Sequence, residues 1–319
     1  MDKDYLAYKV GGLLYVPALR KGVAKKIINK EIQALTSVCF CLEDSIADDA
    51  VEEAEKQLLS TLTELKNAGL NRKDVLLFVR VRSPRHLQHV HAFLNGVSDI
   101  LTGYILPKFD FPDADEYKNI ILSINSNSDL RVYFMPIIES PGVAGIVTRR
   151  ERLLKIKEVL ADVSEYILNV RVGVNDFSNI FGLRRPIDKT VYDVCVLSGV
   201  LSDIINVFSD KYIISGPVWE YFGADDGAWA KGLERELELD RLNGFIGKTA
   251  IHPCQLRYIY ESLKVRREDF NDAKSILNWD RGGFGVEKSS SGDRMNEVKC
   301  HYKWAERILI LSEIYGIKD

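Results

Sequence analysis

Short, nearly continuous apolar runs alternate along this chain with longer stretches whose apolar residues recur at helical spacing. Leu13 to Pro17 is the first run. Val23 to Leu35 is the first stretch at helical spacing, with Lys and Asn between its apolar positions. Ser37 to Leu42 ends in Glu43 and Asp44 and hands over to Ala47 to Leu65, an amphipathic segment rich in Glu and Lys. Val75 to Val81 ends around Arg80 and Arg82, and Tyr104 to Pro107 is closed by Lys108 and followed by a helix over Ala114 to Ile124. The fifth run, Val132 to Ser140, stops at Glu139 before Pro141 and Gly142. The sixth begins at Ile167 and finishes in Gly173 and then Asp176, with Arg149 to Leu160 as the helix between. Val191 to Phe208, Tyr212 to Ser215, Asp226 to Leu242 and Gly244 to Ile251 complete the series, and a helix starts at Pro253. Eight strand-like runs separated by helices call for parallel strands joined by right-handed crossovers, which predicts an α/β fold of the closed (β/α)8, or TIM-barrel, kind.

After about Val265 the alternation fails. Asn278 to Asn296 is rich in Gly, Ser and charge and precedes a final amphipathic helix over Tyr302 to Tyr315. The sequence therefore divides into a barrel over residues 1–264 and a C-terminal appendage, a mobile segment and a helix, over 265–319. An open nucleotide-binding sheet is the competing arrangement, but no G-x-G-x-x-G follows the first strand and no G-x-x-x-x-G-K-[ST] occurs. The 43 basic and 46 acidic residues give a formal charge of −3 with no long single-sign block. That balance offers no footprint for nucleic acid or an anionic membrane, so small molecules are the expected partners. No apolar run approaches the roughly 20 residues of a membrane span, and Met1 to Tyr8 lacks the apolar core of a secretory signal. Five cysteines without a C-x-x-C pair fit a reducing, cytoplasmic setting better than a disulfide framework or a structural zinc site.

The candidate chemistry sits at the strand ends, which form the reactive rim of a (β/α)8 barrel. Glu139 and Asp176, at the tips of successive strands, can converge on one oxygen-binding cation such as Mg2+, which takes one or two carboxylates and keeps waters for a substrate. Both acids also suit the N-caps of the helices that follow. Arg80 suits a substrate carboxylate or carbonyl, or, with Arg82, the solvated end of a strand. Lys108 offers a Schiff-base amine or a structural ion pair, and the carboxylates nearby favour the ion pair. His252 reads as orienting a loop rather than moving protons, and His86, His89 and His91 as surface side chains of a polar helix.

With the strand ends in this order, the chain resembles the citrate lyase β-subunit-like branch of the HpcH/HpaI aldolase superfamily. The resemblance is carried by Leu42-Glu43-Asp44, Arg80-Val81-Arg82, Leu106-Pro107-Lys108, Ile138-Glu139 with Pro141-Gly142, and Gly173 with Asp176. Its longest element is Gly247-Lys248-Thr249-Ala250-Ile251-His252-Pro253 with Gln255, and the tail adds Gly292, Met295, Glu297 and Trp304-Ala305. Within that branch the chain looks most like the divergent citrate-lyase-like proteins of stress-resistance gene clusters. The resemblance implies a bound Mg2+ ion and a carbon–carbon lyase, of retro-aldol or Claisen type, acting through an enolate on an oxo- or hydroxy-acid or its acyl conjugate. It assigns Glu139 and Asp176 to the metal and Arg80 to the substrate. Glu43 and Asp44 would support Arg80 or a metal-bound water, and Glu297 would be the lid acid. Lys108, Pro141, Gly142 and His252 fall on the substrate side, and homo-oligomers are implied in which the C-terminal segment, residues 265–319, is a lid that closes a neighbouring subunit's site, with Gly282-Gly283-Phe284-Gly285 as its hinge. Three departures stand out: Asn175 precedes Asp176 where the family has an acid, Glu297 stands where the family has Asp, and Ser215-Gly216-Pro217-Val218-Trp219 replaces an acid-bearing stretch. A coenzyme A thioester is thus one option for the substrate handle and a free acid the other. A barrel that binds a small ligand or partner without turnover is the second class of function the sequence allows.

Overall fold

The computed structural model describes residues 2–128, 130–279, 285–289 and 291–319. The chain forms two compact units, Met1–Ile259 and Tyr260–Asp319. In the first, the alternating pattern yields eight parallel strands: β1 (Gly12–Pro17), β2 (Ser37–Cys41), β3 (Leu76–Arg80), β4 (Gly103–Leu106), β5 (Tyr133–Ile138), β6 (Asn169–Val172), β7 (Ile213–Ser215) and β8 (Lys248–Ala250). They pair in the order β7-β6-β5-β4-β3-β2-β1-β8, and a parallel bridge between Gly216 and Lys248 brings the two ends together into a nearly closed (β/α)8 barrel. Every residue of β2 to β6 is buried, as expected when one face lines the barrel and helices cover the other.

The barrel interior is packed by Leu13, Cys39, Phe78, Ile105, Met135 and Ile137. A helix over Lys3–Lys9, which the apolar pattern did not signal, adds Leu6 and Ala7 to that cluster, followed by Val10. Closure of β8 on β1 depends on Gly247, whose φ is +72° and where an added Cβ would lie 2.2 Å from the Gly11 carbonyl oxygen. Only glycine permits that approach. Lys248 is then fully buried, with Nζ 2.8 Å from Glu236 and 2.7 Å from Asp240, and Gln255 donates to the carbonyls of Trp219 and Tyr221 at 2.9 Å each. The motif G-K-T-A-I-H-P-x-Q thus locks the last strand in place.

Two helix expectations differ in extent. The stretch Val23 to Leu35 is helical only over Val23–Ile28, because Lys30 and Ala34 adopt left-handed φ values of 55° and 57°. The stretch from Val191 opens with a 3-10 turn capped by Thr190 and Asp193, and its α-helix begins at Cys195. Of the histidines of the helix Pro84–Phe93, expected at the surface, His89 is exposed, whereas His86 and His91 are partly buried. His86 and His89 each place Nε2 on a carboxylate oxygen of buried Glu55, at 2.8 and 3.0 Å, and His91 meets the Tyr104 hydroxyl at 3.1 Å.

The second unit contains the helices Arg267–Leu277 and Val298–Tyr315, an antiparallel pair Val286–Lys288 with Met295–Glu297, and a short parallel pair Val265–Arg266 with Ile317–Lys318. Ala273, Ile276 and Ala305 form its core, and buried Asp272 takes an ion pair from Arg294 at 2.6 Å. Of the expected hinge, Gly282, Gly283 and Phe284 lie outside the described residues. No helix among the described residues is long and apolar enough to cross a membrane.

Candidate active site

The C-terminal ends of the strands surround a cavity of about 370 Å3, lined at its mouth by Asp44, Arg80, Glu139 and Asp176. β5 is buried along its whole length and delivers Glu139, itself 3% exposed, to the rim. Ser140, not Glu139, caps the short helix Pro141–Ala144 by accepting from the Val143 N–H. Asp176 likewise lies within the first turn of the helix Val174–Ile180, whose N-cap is Gly173. Neither acid is spent on capping, which frees both carboxylates for the cavity.

Arg80 ends β3 and draws the acids together. Nη2 is 2.8 Å from Glu43 Oε2 and 3.3 Å from Glu139 Oε1, Nη1 is 3.1 Å from Asp44 Oδ2, and the buried Nε is left without a hydrogen-bond partner. Lys108 Nζ adds contacts of 2.5 Å to Glu43, 3.5 Å to Asp44 and 4.0 Å to Asp176. Burial works against the Lys108 ammonium, but the hydrogen bond and charge of Glu43, then Asp44 and Asp176, raise its pKa. That is the opposite of what a Schiff-base amine needs. The same residue has a left-handed backbone, φ 48°, which turns its N–H onto Glu139 Oε1 at 2.9 Å. Arg82 faces away from the acids of the rim, donating to the carbonyls of Leu42 and Ile46 and pairing with Asp48.

The site fits a divalent cation. Four carboxylates, Glu43, Asp44, Glu139 and Asp176, share two cations, Arg80 and Lys108, leaving a formal excess of two negative charges. Burial pushes the Glu139 carboxyl up to about 8; Arg80 pulls against this and Asp176 adds to it. A buried acid that holds its proton beside a second acid is relieved when a cation takes the proton's place. Opposite it, Gly173 keeps the space open: an added Cβ would lie 1.8 Å from Glu139 Oε2. Among the described residues no group of three or more His, Cys, Asp or Glu side chains forms a closed metal site. A pair of carboxylates instead suits Mg2+, which completes its octahedron with water and substrate.

The remaining sequence candidates are placed as follows. Pro141 and Gly142 form the first turn after Ser140, outside the cavity lining, with Gly142 close to Asp110. His252 caps the turn Pro253–Gln255, accepting from the Cys254 N–H at 3.3 Å, and its ring stacks on Phe222. Glu297 belongs to the second unit, where it ends a strand and precedes the helix Val298–Tyr315. Tyr15, Arg171 and Thr249 line the cavity and were not singled out from sequence. For Arg171 a signal existed: an arginine stands inside the apolar run N-V-R-V.

With fold and site described, the kinship is clear. The family model for the C-C bond lyases of the TIM-barrel fold matches residues 4–317, and the chain belongs to that family of carbon–carbon lyases. No curated protein sequence matches it. Among solved structures it is similar to the protein CitE from Mycobacterium tuberculosis in complex with magnesium, acetoacetate and coenzyme A. That pair shares 16% identity, covers 96% of this chain and 99% of the other, and superposes with a TM-score of 0.61. The citrate lyase β subunit from M. tuberculosis complexed with oxaloacetate and magnesium gives 18% identity, coverage of 80% and 98%, and a TM-score of 0.55. RipC from Yersinia pestis gives 18%, 80%, 95% and 0.54 in the same order. At these identities the likeness establishes the shared fold.

Proposed function

We propose that this chain is a Mg2+-dependent lyase that cleaves, or forms, the carbon–carbon bond next to the carbonyl of an oxo- or hydroxy-acid or its conjugate. Family membership supplies the reaction class. The observation that carries the assignment to residues is the convergence of Glu139, buried at the end of β5, and Asp176, just after β6, on one cavity. Glu139 and Asp176 would hold the ion, as suits the magnesium named with substrates in the similar structures. Mg2+ would supply Lewis-acid polarisation of the substrate oxygens. In retro-aldol cleavage of a hydroxy-acid the hydroxyl proton passes to water as the C–O becomes a carbonyl, the bonding pair stays on the carbon beside the other carbonyl as an enolate, and that enolate takes a proton back from water; Arg80 sets a fixed positive charge at the rim where the enolate charge develops. Its buried Nε has no hydrogen-bond partner within the fold. Glu43 and Asp44 hold the guanidinium in place, and Lys108 holds Glu43 in turn. The five cysteines are free thiols, in keeping with a cytoplasmic enzyme, and a homo-oligomer follows from the family resemblance.

The test is calorimetric titration of Mg2+ into the wild type, Glu139→Gln and Asp176→Asn, paired with an assay for the oxo-acid released from a panel of hydroxy-acids. Both variants should lose Mg2+ binding and cleavage while keeping the wild-type circular dichroism. Cleavage that persists in EDTA, or wild-type Mg2+ affinity in Glu139→Gln, would falsify the reading.

A further inference from the structure

Deep in the same cavity lies an arginine that the mechanism above leaves unused. Arg171 is 1% exposed and, among the described residues, has no carboxylate partner. Its Nη2 donates to Thr249 Oγ1 at 2.7 Å, while Nε and Nη1 have no hydrogen-bond partner. Burial pulls its pKa down, with Arg80 adding to the effect and Tyr15 opposing it. A buried guanidinium without a counter-ion is among the costliest groups a fold can keep.

Its location says what the missing partner is. Arg171 pairs in register with Ile137, two residues before Glu139 on β5, so its backbone sits about 6–7 Å below the rim acids. From β6 its side chain reaches past β7 to Thr249 on β8 and, with Tyr15 and Ile137, lines the cavity beneath the rim. Asn169 and Ser215 also carry unpaired buried atoms, but they do not line the cavity, and a buried water satisfies neutral groups of that kind. Water leaves the charge of Arg171 uncompensated, whereas a planar anion entering from the rim meets a guanidinium fork.

We propose that Arg171 is a specificity-determining residue that anchors a second anionic group, at the non-reacting end of the substrate, so that the site selects dianionic over monoanionic acids. This rests on the proposed function only for the end of the substrate that faces the metal.

The experiment uses two pairs of probes matched in carbon number: oxaloacetate against 2-oxobutanoate, and 2-oxoglutarate against 2-oxopentanoate. Each is titrated calorimetrically, with Mg2+ present, into the wild type, Arg171→Met, Arg171→Lys and Glu139→Gln. In at least one pair the wild type should prefer the dianion by about tenfold or more, and Arg171→Met should weaken the dianion roughly 10- to 100-fold while shifting the monoanion by no more than about twofold. Arg171→Lys, which keeps the charge without the fork, should fall between. Arg171→Met should also keep or raise Tm, because it removes an unpaired buried charge; a purely structural arginine would lower Tm. Equal weakening of both members of each pair, an unchanged preference in Arg171→Met, or no preference in the wild type overturns the proposal. Failure of the metal reading looks different: Glu139→Gln and EDTA would then leave all four affinities at wild-type values, whatever Arg171→Met does.

Discussion

Replacing Gly173 by alanine asks whether Glu139 is held where a cation needs it. Gly173 has φ −98°, so alanine carries no left-handed penalty and the effect is steric. The new methyl would lie 1.8 Å from Glu139 Oε2 and 2.5 Å from its Cβ, against the 3.4 Å at which ordinary contact begins, so the oxygen must retreat by 3.4 less 1.8, about 1.6 Å. Rotating the side chain can move the oxygen but not Cβ, whose position the backbone of β5 fixes. The strain therefore reaches the strand end, costing about 1–3 kcal/mol of stability as overpacking does. A displacement beyond about 1 Å is also enough to lower turnover by roughly 100-fold. Calorimetry with Mg2+, a thermal melt and the cleavage assay read the three consequences separately. Gly142→Ala is the milder comparison, since its Cβ would meet side-chain atoms alone and none of Glu139: Asp110 Oδ2 at 2.8 Å and Arg152 Nε and Cγ at 3.3 and 3.4 Å. Wild-type Mg2+ affinity and wild-type Tm in Gly173→Ala would refute the packing of Glu139 against Gly173 and the site built on it.

Three further outcomes follow from the same geometry. Arg80→Met strips buried Glu139 of its ion pair and leaves Glu43 with Lys108 alone, and should cost about 3–5 kcal/mol, a fall in Tm on the order of 10 °C, with loss of cleavage; a melt within a degree of wild type would contradict it. Burial lowers the pKa of His86 from 6.5, so the fold favours its neutral ring: that stability is present above pH 6.5 and lost as pH falls below it. His86→Asn should accordingly flatten the acid side of a Tm-versus-pH curve, and an unchanged slope would count against burial of a neutral ring at this position. Gly247→Ala meets backbone at 2.2 Å with φ at +72° and should destabilise barrel closure by at least about 3 kcal/mol, read by urea unfolding.

The barrel was legible because its strands are buried on both faces and so read as unbroken apolar runs, each separated by a helix. The rim acids were legible for a related reason: in a run such as F-M-P-I-I-E-S, a charge at the apolar boundary marks the strand's end, although the helix N-cap was an equally local use for it until Ser140 and Gly173 took the cap positions. Interior polar residues escaped. Arg171 and Thr249 belong to short strands with other polar residues, Asn169 and Lys248, and only the closed sheet shows that both face one cavity. The Glu55 cluster was missed because its two partners sit on another helix, 31 and 34 positions away, which no local period reveals. The early end of the helix at Ile28 is set by left-handed residues that are neither glycine nor asparagine, so composition gave no warning. The N-terminal helix is short, and its apolar contribution makes sense only against the barrel interior.

Position 108 joins two functions that mutagenesis ordinarily confounds. The ammonium reaches Glu43, Asp44 and Asp176, whereas the grip on Glu139 comes from the main chain. Truncating the side chain strips away the first set of contacts and spares the second, and glycine there would additionally remove the torsional penalty of a φ of 48°. An active alanine or glycine variant would therefore absolve only the amine; the amide's share must be sought by reshaping the turn that follows Pro107.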